Sequence, residues 1–430
     1  VISLTNSAGN LVFQNNIFEG YDSNFLINNF QAIVFGDDSG SLDNISFVSN
    51  IFNYGFFSIM LFPTYGYNLQ INNNTFNCNY AGGIFLQSFI NTNINGNIAT
   101  FNNVQILYNT FIKLSNNEII NNSGEGLLLF ECYGNTSNFN KITNNIIQTG
   151  GTGIRLENCE YLEIYFNTIN ISNDPLTALT NSAAVQLVSG NSRIKLENNI
   201  LMNKRDGYAY SGEIGFQNTN DFNNLFSSGS NLAKWEGSDY STLTEFKTAS
   251  STNQNSYSTD IQFNSISDLH LKNSPVQLLG TTISGITTDI DGDTRNSPPF
   301  IGADEPETMQ VSLTVLLEGP YSGTGNMSTS INGSLPLLHP YNSSIHDGTE
   351  SVPLDFFTSH TDIIDWIAVE LRSDISTKVS SRVGFLLANG EIVDIDGISP
   401  LIFYVDPSLN YHALIYHRNH LPVISSGFVN

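Results

Sequence analysis

The residues best suited to chemistry on an anionic substrate are the chain's few cations. Fifteen Lys and Arg stand against 39 Asp and Glu in 430 residues, and none precedes Lys113. The basic-rich stretch holds Arg155, Arg193, Lys195, Lys204 and Arg205. In "GIRLE", Arg155 and Glu157 alternate with Ile154 and Leu156, which puts both on the outer side of a strand. Arg193 and Lys195 flank Ile194 in the same way, with Glu197 close by. Elimination at an acidic sugar needs a base of tuned pKa and a group that neutralises the carboxylate, and Arg and Lys supply both. Arg155, Glu157, Arg193 and Lys195 are therefore the catalytic candidates of a polysaccharide lyase. The competing reading is a solvated ladder of ion pairs on a sheet face, worth little to stability. The absence of any His before His270 favours the ladder.

A glycoside hydrolase needs two carboxylates roughly 5 to 9.5 Å apart. Asp37 with Asp38, Glu157 with Glu160 and Glu163, and Asp221 are available, but no acidic set recurs between neighbouring segments. Scattered carboxylates of this kind belong to turns. Asp289, Asp291, Asp293 and Asp304 form an oxygen-rich set suited to calcium. The spacing is not that of an EF-hand, since Gly292 is fourth and Phe300 twelfth from Asp289. The alternative is an Asp-rich turn, salt-bridged to Arg295, that caps the last repeat. In "YHALIYHRNH", strand alternation sets His412 apart from His417 and His420, so these imidazoles read as turn-bonding groups. The sequons at Asn44, Asn170 and Asn326 are as expected by chance in so Asn- and Ser-rich a chain.

Composition limits what can hold these groups. A net charge of −24 argues against phosphate-backbone binding, which depends on cations, so no nucleic-acid partner is expected. Charged residues make up 13% and aromatics 11%, with abundant Asn, Ser, Thr, Gly, Ile and Val, a balance that favours strands over long helices. Three Cys cannot build a disulfide framework. No apolar run reaches the roughly 18 residues of a membrane span.

The positioning elements are repeats. "GEGLLLFEC" at 124 and "GTGIRLENC" at 151 match in register 27 residues apart, and an Asn-x-Ile or Asn-Thr-Ile phrase follows each. Similar phrases run through "NNIF", "SNIF", "NNTF", "GNIA", "NNEI", "NNII", "FNTI", "NNIL" and "NNLF". Counted at their second letters, from Asn16 to Asn224, the steps average 26 residues, the signature of coils with loop insertions. Ile84, Ile106, Leu127, Ile154, Val185 and Ile214 each open a short alternating strand, giving a second column. Two strand columns per coil describe a parallel β-helix. Asn suits its turns because it tolerates left-handed backbone and can bond the next coil's Asn. Cys132 and Cys159 occupy equivalent places as small core residues. The opening "VISLTNSAGNLVFQNNIF" begins within the pattern, so the stack is expected to continue upstream or to meet another subunit there.

Over residues 1 to 305 this pattern resembles the right-handed parallel β-helix repeat proteins of bacteria, most sharply in "TDIDGDTRNSPPFIGADEPE" at 288 to 307. That stretch is similar to the "DIDG-x-x-R…IGADE" phrase closing many secreted proteins of the group. Phe300 replaces the usual Asp before Ile-Gly, so a ligand role there is lost. From Gln310 the repeats stop and strand-like runs begin, with Asn389-Gly390 as a hairpin turn. "LEGPY", "DWIAVELR" and "YHRNHL" resemble the C-terminal β-sandwich module of large Bacteroidetes-type surface proteins.

The expectation is an all-β chain: a right-handed parallel β-helix over 1–308 and a small β-sandwich over 309–430. The resemblance implies a secreted or cell-surface structural or adhesive solenoid, part of a larger extracellular or fibre-forming protein. A lyase or hydrolase acting on an extended glycan is the alternative. A non-catalytic carbohydrate binder is the second, with Phe56, Tyr67 and Tyr133 as stacking aromatics. The partners expected are a polysaccharide or a second copy at the N-terminal end, and the only cofactor considered is calcium.

Overall fold

The computed structural model describes residues 2–20, 32–55, 57–77, 83–100, 104–120, 124–172, 178–213, 215, 218–271, 278–346, 348 and 350–429. The fold is all-β, with 49% strand and 4% helix. It divides into two compact units, Val1–His270 with Leu278–Glu305, and Leu271–Gln277 with Pro306–Asn430. Among the described residues no helix is long and apolar enough to cross a membrane.

The first unit is a parallel solenoid with three faces. The first face runs from Ile2–Leu4 to Ala233–Trp235 and ends on the antiparallel strand Ser238–Tyr240. The second runs from Ala8–Gln14 to Thr219–Asp221, and the third from Ile17–Glu19 to Asn224–Ser227, with nine strands each. One coil is Ile154–Glu157, Glu160–Tyr165 and Thr168–Ile171. Inward aliphatics stack in register, as in Ile84, Val104, Leu127, Ile154 and Val185. The third face is the column that the sequence pattern does not display. Its strands are three or four residues long; the earlier ones bury one central residue, such as Phe52, Phe76, Ala99 and Ile119, and later ones such as Ile146–Thr149 and Thr168–Ile171 bury all four. A strand that short has no period-two pattern to read.

The Asn phrases form the corner between the second and third faces. Asn50, Asn74, Asn97, Asn117, Asn145, Asn167, Asn199 and Asn223 are at most 3% exposed and bond from coil to coil. Asn145 is typical. Its backbone N–H and its side-chain amide both donate to Asn167 Oδ1, at 3.0 and 2.9 Å, and the amide also donates to the Leu114 carbonyl at 2.9 Å. The residue before each ladder Asn has positive φ, for instance Asn73, Asn116, Asn144 and Asn198. Non-glycine residues rarely adopt that conformation, and Asn does so most readily, which explains the doubled Asn. The final repeat corrects the phrase count by one residue. Asn223, not Asn224, sits in the ladder, because Asn224 pairs with Ile200 in the strand.

The stack ends on an element absent from the sequence reading. The ladder closes where Asn223 N–H donates to Ser256 Oγ at 3.0 Å. A helix, Leu243–Ser250, with a Thr242–Glu245 capping box, turns Phe246 inward against Tyr210 at 5.6 Å and Trp235 at 6.1 Å. The Asp289 to Glu305 segment was expected as that cap. It lies instead along the flank, where Asn144 donates to the Thr288 carbonyl, Ala303 N–H to Thr168 Oγ1, and Gly302 N–H to the Asn198 carbonyl. The left-handed corners at Asn144 and Asn198 supply these contacts on separate coils. Gly302 has φ +93°, and a Cβ there would meet Ile200 Cδ1 at 2.5 Å. Cys132 and Cys159 are fully buried, and their thiols donate to the carbonyls of Ile106 and Leu129.

The second unit centres on a five-stranded sheet ordered Ile392–Val393, Lys378–Leu387, Ile363–Arg372, His412–Tyr416 and Val423–Ile424, with antiparallel pairing. Asn389-Gly390 joins its first two members, with Gly390 at φ +90°. One side packs Ile367, Val369 and Leu371 against Met309, Val311, Leu401 and Phe403, which belong to a two-stranded sheet. The other side packs Trp366, Val383 and Phe385 against Leu335, Val352 and Phe357. Of the run "QVSLTVLLEGPY" only the start is strand, in Thr308–Val311.

Candidate binding cleft on the first face

Register aligns the outward positions of the first face into one column. Phe35, Met60, Phe85, Gln105, Leu128, Arg155, Gln186, Ser211 and Lys234 follow one another coil by coil. Partly exposed aromatic rings lie in and beside its earlier half. Phe62 lies edge-on to Phe35 at 5.4 Å and to Phe85 at 6.5 Å, and Tyr108 lies edge-on to Phe130 at 5.5 Å. The later half is polar and opens into a cleft of about 280 Å³.

Gln186, Ser211 and Lys234 line this cleft with Asn181, Tyr208 and Glu213. The hairpin of Ala233–Trp235 and Ser238–Tyr240 forms part of the wall through Lys234 and Gly237. Its turn has positive φ at both Glu236 and Gly237, as a tight two-residue hairpin requires. Tyr208 donates its phenol to Asp239 at 3.0 Å, and the Lys234 ammonium lies 6.0 Å from the Tyr208 ring centre. Among the described residues Lys234 and Glu213 have no ion pair, and the Gln186 and Ser211 side chains have no hydrogen-bond partner.

The cleft therefore offers an amide, a hydroxyl, an ammonium and a carboxylate, all unengaged, beside an aromatic ring. That set suits a hydroxyl-rich ligand. It is poorly set up for proton abstraction, because burial and the bond to Asp239 push the Tyr208 phenol above its usual range. Counting outward positions from Arg155 along "AVQLV" and "YAYSG" would have found Gln186 and Ser211. The sequence reading opened that coil's strand at Ile214, which lies outside the described residues; the strand is Tyr208–Gly212.

The candidate cations do not form one cluster. Arg155 and Glu157 are on the first face, and Arg193 and Lys195 are on the second. Arg155 bonds Glu125 at 3.2 Å and Glu157 at 3.4 Å. Arg193 bonds Glu160 and covers the Tyr161 ring at 4.7 Å. Lys195 bonds Glu163 at 3.0 Å, which also receives Lys141 at 3.6 Å. Lys204 pairs with Asp260 at 2.8 Å, and Arg205 donates to the Gly150 carbonyl. Asp37 accepts from Ser39 and closes a turn, while Asp221 accepts from Phe222 and from Asn255, 34 residues on, and ties two segments together.

Asp289, Asp291 and Asp304 converge within 4.8 Å, and Asp293 is not among them. Asp289 is saturated by backbone, since Oδ1 accepts from Asp291 and Asp293 N–H and Oδ2 from Glu305 N–H. His270 reaches Asp291 at 3.2 Å and Asp268 at 2.6 Å, and these bonds raise its pKa to about 10. The imidazole thus faces Asp291, one of the three convergent carboxylates. His417 and His420 meet at 2.9 Å between Nδ1 atoms, while His412 packs on Phe428 at 4.7 Å. The Asn170 sequon is buried, whereas Asn44 and Asn326 are exposed. Tyr67 and Tyr133 are 44% and 41% exposed, and Phe56 lies outside the described residues. No protein-family model, curated protein or solved structure matches this chain.

Proposed function

We propose that this solenoid is a non-catalytic, adhesive glycan-binding protein of the extracellular surface, holding an extended saccharide along its first face. The observation that carries the reading is the contrast between the cleft and the paired cations elsewhere on the solenoid. Arg155 on the first face and Arg193, Lys195 and Lys141 on the second are held in ion pairs, while among the described residues Gln186, Ser211, Glu213 and Lys234 at the cleft are not. The partly exposed rings of Phe35, Phe62 and Phe85 continue the same strip and match the apolar faces of sugars. The resemblance of the "DIDG…IGADE" phrase to the closing phrase of secreted β-helix proteins supports a secreted or cell-surface location.

A panel of neutral and acidic polysaccharides tests the reading. Binding without new reducing ends or unsaturated products supports it. Turnover, lost in Arg155→Ala or Lys195→Ala, would make the protein a lyase or hydrolase instead.

A further inference from the structure

We propose that His339, His346 and Glu350 in the C-terminal unit bind one transition-metal ion of the zinc type. The backbone brings them together. Leu338 faces Ser351 in an antiparallel bridge, and His339 N–H donates to the Glu350 carbonyl at 3.2 Å. These two side chains are therefore cross-strand neighbours. The intervening loop folds back where His346 N–H donates to the Asn342 carbonyl at 3.0 Å. One donor atom from each of the three lies within 4.8 Å of the others. Glu350 Oε2 is 2.9 Å from His346 Nε2 and 3.8 Å from His339 Nε2.

The surroundings favour a cation at this point. His346 is 1% and His339 7% exposed, so water does not compete freely. His346 Nδ1 lies 3.1 Å from Ser381 Oγ, a partner that can accept its proton and leave Nε2 bare toward Glu350. At that separation Nε2 and Oε2 share either a proton or a cation, and a cation there is also within reach of His339 Nε2. The Gly348 carbonyl, 2.8 Å from His339 Nε2, adds an oxygen on the same side. Two imidazoles and a carboxylate are a zinc-type donor set, while calcium and magnesium prefer oxygen alone.

Without metal, His339 donates through Nε2 to Gly348 and receives Tyr341 N–H at Nδ1 over 3.3 Å. Metal at Nε2 moves that proton to Nδ1 and exchanges the long contact for a metal–nitrogen bond. The ion would tie the hairpin to strand Lys378–Leu387 through His346 and Ser381.

The test uses the full chain, stripped with a chelator and titrated with zinc, cobalt or calcium chloride. The expected result is one zinc per chain, a higher melting temperature, and the strong visible absorption of four-coordinate cobalt. His346→Ala and Glu350→Gln should abolish the cobalt signal, and Ser381→Ala should weaken zinc about 10-fold. His417→Ala, at the other imidazole pair, should keep all three readouts. No zinc bound by the natively folded chain overturns the proposal, and so does a cobalt spectrum unchanged in Glu350→Gln. The latter variant keeps the side-chain volume, so it decides the matter even if His346→Ala fails to fold.

Discussion

Arg295 and Asn144, 151 residues apart in the chain, meet at 3.0 Å between guanidinium Nη2 and amide Oδ1. Arg295 also donates to the carbonyls of Phe300, Gly302 and Ala303, pairs with Glu305 at 3.3 Å, and covers the Phe166 ring at 4.0 Å. Its side chain is 3% exposed and that of Glu305 4%. The conspicuous acidic phrase therefore serves as a strap whose single cation holds the solenoid flank.

Removing one partner of such a pair strands the other in a dry site. Arg295→Ala should destabilise the solenoid by about 3–5 kcal/mol. Urea unfolding monitored by circular dichroism should show the loss, and a midpoint shift no larger than that of a surface Arg variant would contradict the assignment.

The Asn ladder makes a sharper comparison. Asn145→Ala strands the buried N–H of Asn117 and the carbonyl of Leu114, and should cost about 3 kcal/mol. Asn77→Ala removes only an exposed bond to Asn53 and should cost under about 1 kcal/mol. Equal losses in the two variants would mean that burial of the ladder is not what matters.

His270 sets a pH window. Its pKa in the fold, about 10, is raised above the ordinary 6.5 by Asp291 and Asp268. A raised base stabilises fully below pH 6.5 and loses that contribution as pH climbs through about 10. The imidazole is 28% exposed, so screening by solvent limits the size. Melting temperature should fall over this interval in the native chain and stay flatter in His270→Gln. An imidazole carbon-bound proton resonance that titrates near pH 6.5 would contradict the pairing.

The parallel solenoid was legible because Ile84, Leu127, Ile154 and Val185 recur at strand spacing, and because an Asn phrase marks one corner in coil after coil; Ile106 lies two residues past its strand's opening Val104 and pairs with Leu129. The third face was not, since Phe76 or Ile119 alone cannot show a period. The cap at Phe246 was open to discovery through Thr242 and Glu245, a spacing that announces a helix start. The cleft stayed hidden for a different reason: Gln186, Ser211 and Lys234 are unremarkable until parallel register stacks them above Arg155.

The central claim is that this column binds saccharide without transforming it. Calorimetric titration with the best ligand from a polysaccharide panel tests it most directly, using the native chain, a Gln186→Ala/Lys234→Ala variant and Lys195→Ala as the second-face control. The account predicts that the double change weakens binding at least about 10-fold, two lost hydrogen-bonding groups at roughly 1 kcal/mol each, with the control unchanged. Binding that survives the double change but is lost in Lys195→Ala would contradict it, and would move the site to the second face.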